Sequence, residues 1–307
     1  MDVLCGSVNQ LRLEFLPHEM LAKLTSLERL GIIESCDSMR TFPLGIFPKL
    51  WFLNFRKCQN LESFSIEGVD KNLRDLYIED CPNLGGLPAS NLNHFMINGC
   101  NNLKSFPERI HTLTALRGLV IYDLPNLVSF AECGLPPNLR DFSIDNCCER
   151  LRPSSVGEYW GLQGLFSLEE FSIGGRGSDD ILERLFKEQL LPPNLHTLHI
   201  NTLSSLKSLD INGLGHLTSL QQLHISGCDS LEFLPRLRHL TCFQQLHIYS
   251  CPSLEFLPEE GLPPSLSSLS ISDCSALEKR TGYLLLESFS FARLLYCHFW
   301  GRVYHCI

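Results

Sequence analysis

A sixteen-residue phrase that returns along the chain constrains the fold more than any other feature. From Leu73 it reads LRDLYIEDCPNLGGLP, with apolar residues at Leu73, Leu76 and Ile78, then Cys81, Leu84 and Leu87, and Pro88 to close it. The second leucine, or a phenylalanine in its place, falls at Leu30, Leu53, Leu76, Phe95, Leu119, Phe142, Phe171, Leu198, Leu223, Leu246 and Leu269, which makes eleven units spaced 19 to 29 residues apart. Such a unit cannot bury its apolar side alone. Stacking it on its neighbours makes one continuous core, so 307 residues need not be divided into separate globular domains.

Within each unit the LxxLxI segment alternates apolar and polar residues with period two, as a strand with one buried face must. Eleven stacked strands predict a parallel sheet whose intervening side chains line an open concave face. Segments such as Leu84 to Pro88 and Leu254 to Pro258 cross the far side, where proline opposes helix formation. The pattern is that of leucine-rich repeats: an α/β solenoid, a horseshoe with a parallel β-sheet on the concave face and a mostly irregular convex side. It is assigned to residues 1–280, as about eleven repeats plus a partial N-terminal one around Cys5, Val8 and Leu11. Residues 281–307 match neither a repeat nor a polar closing unit. They are read either as a cap burying Leu284, Leu286, Phe289 and Phe291 or as a segment that did not evolve with the solenoid.

The connections carry their own signals. Leu135-Pro136-Pro137-Asn138, Leu191-Pro192-Pro193-Asn194 and Leu262-Pro263-Pro264-Ser265 precede new strands and predict extended polyproline geometry. LTSL or a relative of it, at Leu24 to Leu27, Leu113 to Leu116 and Leu217 to Leu220, predicts short helical turns. Two units are longer. The insertion after Gly174 spaces Ile181, Leu182, Leu185 and Phe186 helically, which predicts a short amphipathic helix over the core with Ser178 as its N-cap.

Eight of the fourteen cysteines recur at one place, three residues after the strand isoleucine (Cys58, Cys81, Cys100, Cys147, Cys228, Cys251, Cys274) or, at Cys36, one place later. A small buried thiol there can donate to a backbone carbonyl where the chain leaves its strand. Equivalent positions on successive coils point the same way, so disulfide geometry is not expected and the thiols are read as reduced. No Cys pairing suits zinc.

Net charge is -9 with no basic stripe, which argues against a nucleic-acid partner. The N-terminus lacks a secretory pattern and no apolar run approaches the ~20 residues of a membrane span, so a cytoplasmic, intracellular chain without membrane contact is expected. No GxSxG, HExxH, dinucleotide turn or GxxxxGK[ST] loop occurs. Neither catalysis nor a cofactor is predicted.

What remains is the concave face. Counting outward positions from the template places Phe52, Asp75, Tyr77, Glu79, Tyr122, Asp141, Asp145 and Glu170 there, followed by His199, Gln222, His224, Gln245, His247 and Tyr249. Aromatic anchors can dominate an interface while nearby charges steer and select the partner, so the acidic and aromatic centre predicts a protein partner of basic character. His199, His224 and His247 share one position in three consecutive units and should form a ladder at about 4.8 Å spacing. It is read as a polar binding stripe or solvated surface, with zinc as an alternative, titrating near about pH 6.5.

The phrases LTSLERL, LxxLxIxxCxxLxxLP, GLPPNL and LTSLQQLHISGCDSLEFLP, spread from Leu11 to Arg280, resemble the repeat region of plant intracellular nucleotide-binding leucine-rich-repeat disease-resistance proteins, most closely their coiled-coil class. The resemblance implies a module of plant defence that senses a pathogen effector or a guarded host protein, or that restrains the receptor's own switch domain. The missing phosphate loop departs from that family and implies a sensor without its own nucleotide switch. The alternative is a non-immune interaction scaffold, such as a ubiquitin-ligase substrate adaptor.

Overall fold

The computed structural model describes residues 24–34, 39–65, 72–85, 91–104, 106, 110–128, 134–147, 160–258 and 262–277. Each LxxLxI phrase among them becomes a five-residue strand, because its leucine and isoleucine point to one side and can be buried together. Eleven strands, β1 (Arg29–Ile33), β3 (Phe52–Arg56), β5 (Asp75–Glu79), β6 (His94–Asn98), β7 (Gly118–Tyr122), β8 (Asp141–Asp145), β9 (Glu170–Gly174), β10 (Thr197–Asn201), β11 (Gln222–Ser226), β12 (Gln245–Tyr249) and β13 (Ser268–Ser272), form one parallel sheet in chain order. β2 (Thr41–Pro43) and β4 (Ser63–Ser65) pair separately. Register never slips: Leu76 lies beside Leu53 and Phe95, Ile78 beside Phe55 and Ile97, and these side chains are buried. The fold is the expected leucine-rich-repeat solenoid.

Each of the eleven strands ends the same way. The next residue but one after the strand isoleucine, from Glu34 to Asp273, takes a left-handed backbone with φ between 49° and 74°. Only Gly99, Gly175 and Gly227 do so without steric cost. The conformation aims that residue's amide at the last strand carbonyl of the following coil, as in Asp80 to Asn98 at 2.9 Å and Ser250 to Ser272 at 3.0 Å. Relieving the cost at Ser250, Ser250→Gly should raise stability by about 0.5 kcal/mol after the entropy of glycine is deducted, read as a higher urea midpoint at unchanged slope.

The ladder cysteines sit one residue later. Their thiols donate to the same strand-end carbonyls, from Cys58 to Arg56 at 3.7 Å to Cys147 to Asp145 at 2.9 Å, and all seven described are buried and unbridged. Burial pushes the Cys100 thiol up to about 12, whereas the thiol contacts with Cys58 and Cys251 lower Cys81 and Cys228. Cys36 lies outside the described residues.

One expectation for the connections is corrected: LTSL forms no helix but closes a single β-turn, with Leu220 N–H on Leu217 O at 3.1 Å, and each Pro-Pro pair leads into a turn of the same span, with Leu195 N–H on Pro192 O at 3.2 Å. The second proline occupies the turn position where a φ near −65° is wanted, and four residues are too few to nucleate a helix. The following Asn138, Asn194 and Ser265 tie each turn to the preceding coil through Thr114 O, Phe166 O and Phe243 O at 2.7 to 2.9 Å.

The helix of the second insertion is present as α1 (Ser178–Lys187), and Ile181, Leu182, Leu185 and Phe186 are buried as the spacing requires. Its cap is not Ser178. Gly177, at φ 78°, precedes the helix, while Ser178 is its buried first residue and spends its hydroxyl on Gly174 O. Asp179 and Asp180 in the first turn and Arg184 and Lys187 in the last suit the helix dipole. A second helix, α2 (Ile211–His216), was not foreseen; Asp210 caps it by accepting the Gly213 N–H at 2.7 Å. The partial N-terminal repeat, the body of the first insertion and residues 281–307 fall outside the described residues. Among those described, no helix is long and apolar enough to cross a membrane.

Candidate functional site on the concave face

The constant register turns the outward positions into three columns, which β5 joins at Asp75, Tyr77 and Glu79. All fourteen sequence-predicted site residues lie in these columns, because each stands at the first, third or fifth place of its strand. They do not make one uniform surface. Three regions differ in chemistry.

At the N-terminal end an aromatic patch holds a cation. The Arg29 guanidinium lies 4.5 Å from the Phe52 ring centre and 5.4 Å from that of Trp51, and Phe52 meets Tyr77 at 5.3 Å. The two acids predicted here are already answered. Asp75 accepts from His94 Nδ1 at 2.8 Å, and Glu79 stands 3.1 Å from Arg56 Nε, close enough for an ion pair though not aligned as a hydrogen bond. Beside them a shallow groove of about 580 Å³ runs past Trp51, Arg74 and Asp75 with charges of both signs.

The centre is acidic over a low floor of Gly118, Val120, Ser143, Ser172 and Gly174. Asp145 stands between Tyr122 and Gly174 in register, and a Cβ on Gly174 would come within 2.5 Å of its Oδ2, so only glycine leaves room for the carboxylate. Burial, then the Asp123 charge, pushes the Asp145 carboxyl up to about 6. Burial, then Glu170 and Glu169, raises Asp141 as well. Tyr122, 40% exposed, is the most open aromatic of this region.

The C-terminal end carries the predicted histidine ladder. His199, His224 and His247 stack with ring centres 4.4 and 4.5 Å apart and planes within 17° and 8° of parallel. The expectation of titration near 6.5 is corrected at His224 and His247: burial and the two neighbouring rings hold His224 down at about 4, and burial, then His199, lowers His247. Among the described residues no group of three or more His, Cys, Asp or Glu side chains is arranged to hold a metal ion. The partners His94, Arg56, Asp123 and Gly174 escaped the sequence reading, although the same count of outward positions reaches three of them.

Comparison with known proteins gives this surface a context. No family model matches the chain. A protein of Arabidopsis thaliana described as a disease resistance protein is 34% identical over 217 residues, covering 68% of this chain and 15% of that protein. The chain is a homologue of plant disease resistance proteins. The TMV resistance protein N of Nicotiana glutinosa aligns with this homologue at 27% identity, covering 70% of the chain and 25% of its own length. The disease resistance protein RPP4 of Arabidopsis thaliana does so at 27%, over 68% and 15%. The homologue therefore spans a quarter or less of the length of these relatives. Among solved structures, the Toll–Spatzle complex of Drosophila shares 16% identity at a TM-score of 0.48, covering 83% of the homologue and 35% of that chain. The leucine-rich-repeat domain of the type III effector XopL shares 18% at 0.41, over 84% and 81%. At such scores these likenesses add nothing to the fold already described.

Proposed function

We propose that the chain is a recognition module of plant defence that binds, on the centre of its concave face, a protein partner of basic character: a pathogen effector, a guarded host protein or a receptor's own switch domain. The observation that carries this reading is Asp145. A carboxylate kept half-buried beside an open tyrosine, with glycine next to it to leave space, is costly to the fold and useful to a ligand. The repeat phrases favour the coiled-coil class of receptor, and the unbridged thiols favour an intracellular site of action. The module acts by binding, without catalysis or cofactor.

The test is to recover partners from plant tissue on the full chain and to map cross-links. Cross-links are expected at the central columns, with Tyr122→Ala weakening the recovered complex about tenfold at an unchanged unfolding midpoint. Asp141→Asn should mainly slow association and flatten its salt dependence. If both changes leave affinity and salt dependence intact while changes on the convex side abolish binding, the concave assignment is wrong.

A further inference from the structure

The histidine ladder lies beyond the acidic centre, and its hydrogen bonds fix which atoms it offers to a ligand. His199 Nε2 lies 3.0 Å from Glu170 Oε1, and a carboxylate only accepts, so this nitrogen carries the hydrogen. At the next ring an amide oxygen takes the same place, with His224 Nε2 3.5 Å from Gln222 Oε1. A neutral ring protonated at Nε2 keeps a bare lone pair on Nδ1. His247 is the exception, since the Tyr249 hydroxyl, 3.2 Å from its Nδ1, donates its own hydrogen to Ser270 Oγ and can only accept from the ring, whereas the Nδ1 atoms of His199 and His224 meet no hydrogen-bond partner among the described residues.

We propose that this ladder is a second docking strip, in which the Nδ1 atoms of His199 and His224 are stacked acceptors that receive the N–H groups of an arginine- or lysine-rich segment of a partner, and do so while these rings are neutral. The proposal rests on the reading of the concave face as a binding surface for a basic protein and extends that surface by three strands. Stacked rings direct their lone pairs side by side in parallel planes instead of at one point, which suits a series of donors and not a metal ion. A guanidinium brings five donors in a flat fork, and the Glu170 carboxylate at the head of the ladder attracts its charge. An acidic segment would meet lone pairs and a carboxylate.

The surroundings keep the central ring, His224, neutral. Charged or titratable groups facing the ladder are Glu170 from β9 and Tyr249 from β12, and the other outward positions of β9 to β13 are serine, threonine, asparagine, glutamine and glycine. Each ring also opposes a proton on the next. Burial and these neighbours hold His224 at about 4, so its acceptor persists at ordinary pH.

The experiment uses the full chain, a hexa-arginine peptide as probe and a hexa-glutamate peptide as control. The double variant His199→Phe with His224→Phe keeps two stacked rings and removes both lone pairs. It should bind hexa-arginine about tenfold more weakly at pH 7.5, with an unchanged circular dichroism spectrum and urea midpoint. Nitrogen-15 spectra of the histidines should show the hydrogen on Nε2 in the free chain and a perturbed Nδ1 on peptide addition, and the peptide should drive the His224 titration lower still. Undiminished peptide binding by the double variant overturns the strip, as does a hydrogen found on Nδ1 of His199 and His224 or preferential binding of hexa-glutamate. Asp141→Asn and Tyr122→Ala, measured with the same peptide, separate the two readings. Loss only in the phenylalanine variant supports the strip and counts against the acidic centre; loss only in Asp141→Asn or Tyr122→Ala does the reverse.

Discussion

Alanine at Gly213 is expected to destabilise the chain by about 3 kcal/mol, although a helix would ordinarily favour alanine there. The added Cβ would stand 2.3 Å from Phe186 Cβ and 2.6 Å from its Cα, and the Cα belongs to the backbone of α1. Phe186 is fully buried and cannot swing aside. One helix must shift, and with it the cover over the core beside β9. Gly215→Ala is the control in the same helix, since its nearest neighbour is the exposed, movable ring of His239 at 3.3 Å. That change should be neutral or gain up to about 0.5 kcal/mol. Urea unfolding of both variants decides the matter: equal midpoints would mean that α1 and α2 are not in close contact.

How far the sequence could be read follows from what repeats in it. Period-two alternation anchored on Leu76, Ile78 and their equivalents is enough to place every strand and every outward column, because a slip of one residue would turn the leucines to solvent. The strand exits were not legible. The left-handed position holds lysine, aspartate, threonine, serine and glycine in different units, since the shared constraint is a backbone hydrogen bond and not a side chain. The Ser178 cap failed for a related reason. A serine before an apolar helical run fits an N-cap, yet here a neighbouring strand-end carbonyl takes its hydroxyl first. At the site, the column positions were legible but the pairings were not. Nothing in spacing says that Asp75 meets His94 while Asp145 meets no cation among the described residues, and it is this difference that separates an engaged acid from an available one. The histidines illustrate the same limit. Their alignment follows from the repeat, but the lowered proton affinity of His224 and His247 depends on burial and ring spacing that only coordinates supply.

Asp145→Asn should stabilise the chain by about 2 kcal/mol at pH 7.5 and leave it unchanged below about pH 4. The folded carboxyl titrates at about 6 against an ordinary 3.8, so ionising it costs more in the folded chain than in the unfolded one. That cost is fully present above 6 and absent below 3.8, where both states hold the proton. At ~1.4 kcal/mol per pH unit the rise amounts to about 3 kcal/mol, which partial solvent exposure reduces to about 2. His224 has the opposite slope. Its folded proton affinity is lowered from 6.5 to about 4, so its contribution is lost as pH falls through that window. In the native chain the two slopes partly cancel. The Asp145→Asn variant should therefore lose stability more steeply than the native chain between about pH 6 and pH 4, and a stabilisation that stays constant from pH 7.5 to 4 would contradict this account. The same change removes a charge from the centre of the concave face and should slow association with a basic partner. A single substitution that strengthens the fold and weakens recognition would show that the carboxylate is held there for its ligand, at the expense of the solenoid that carries it.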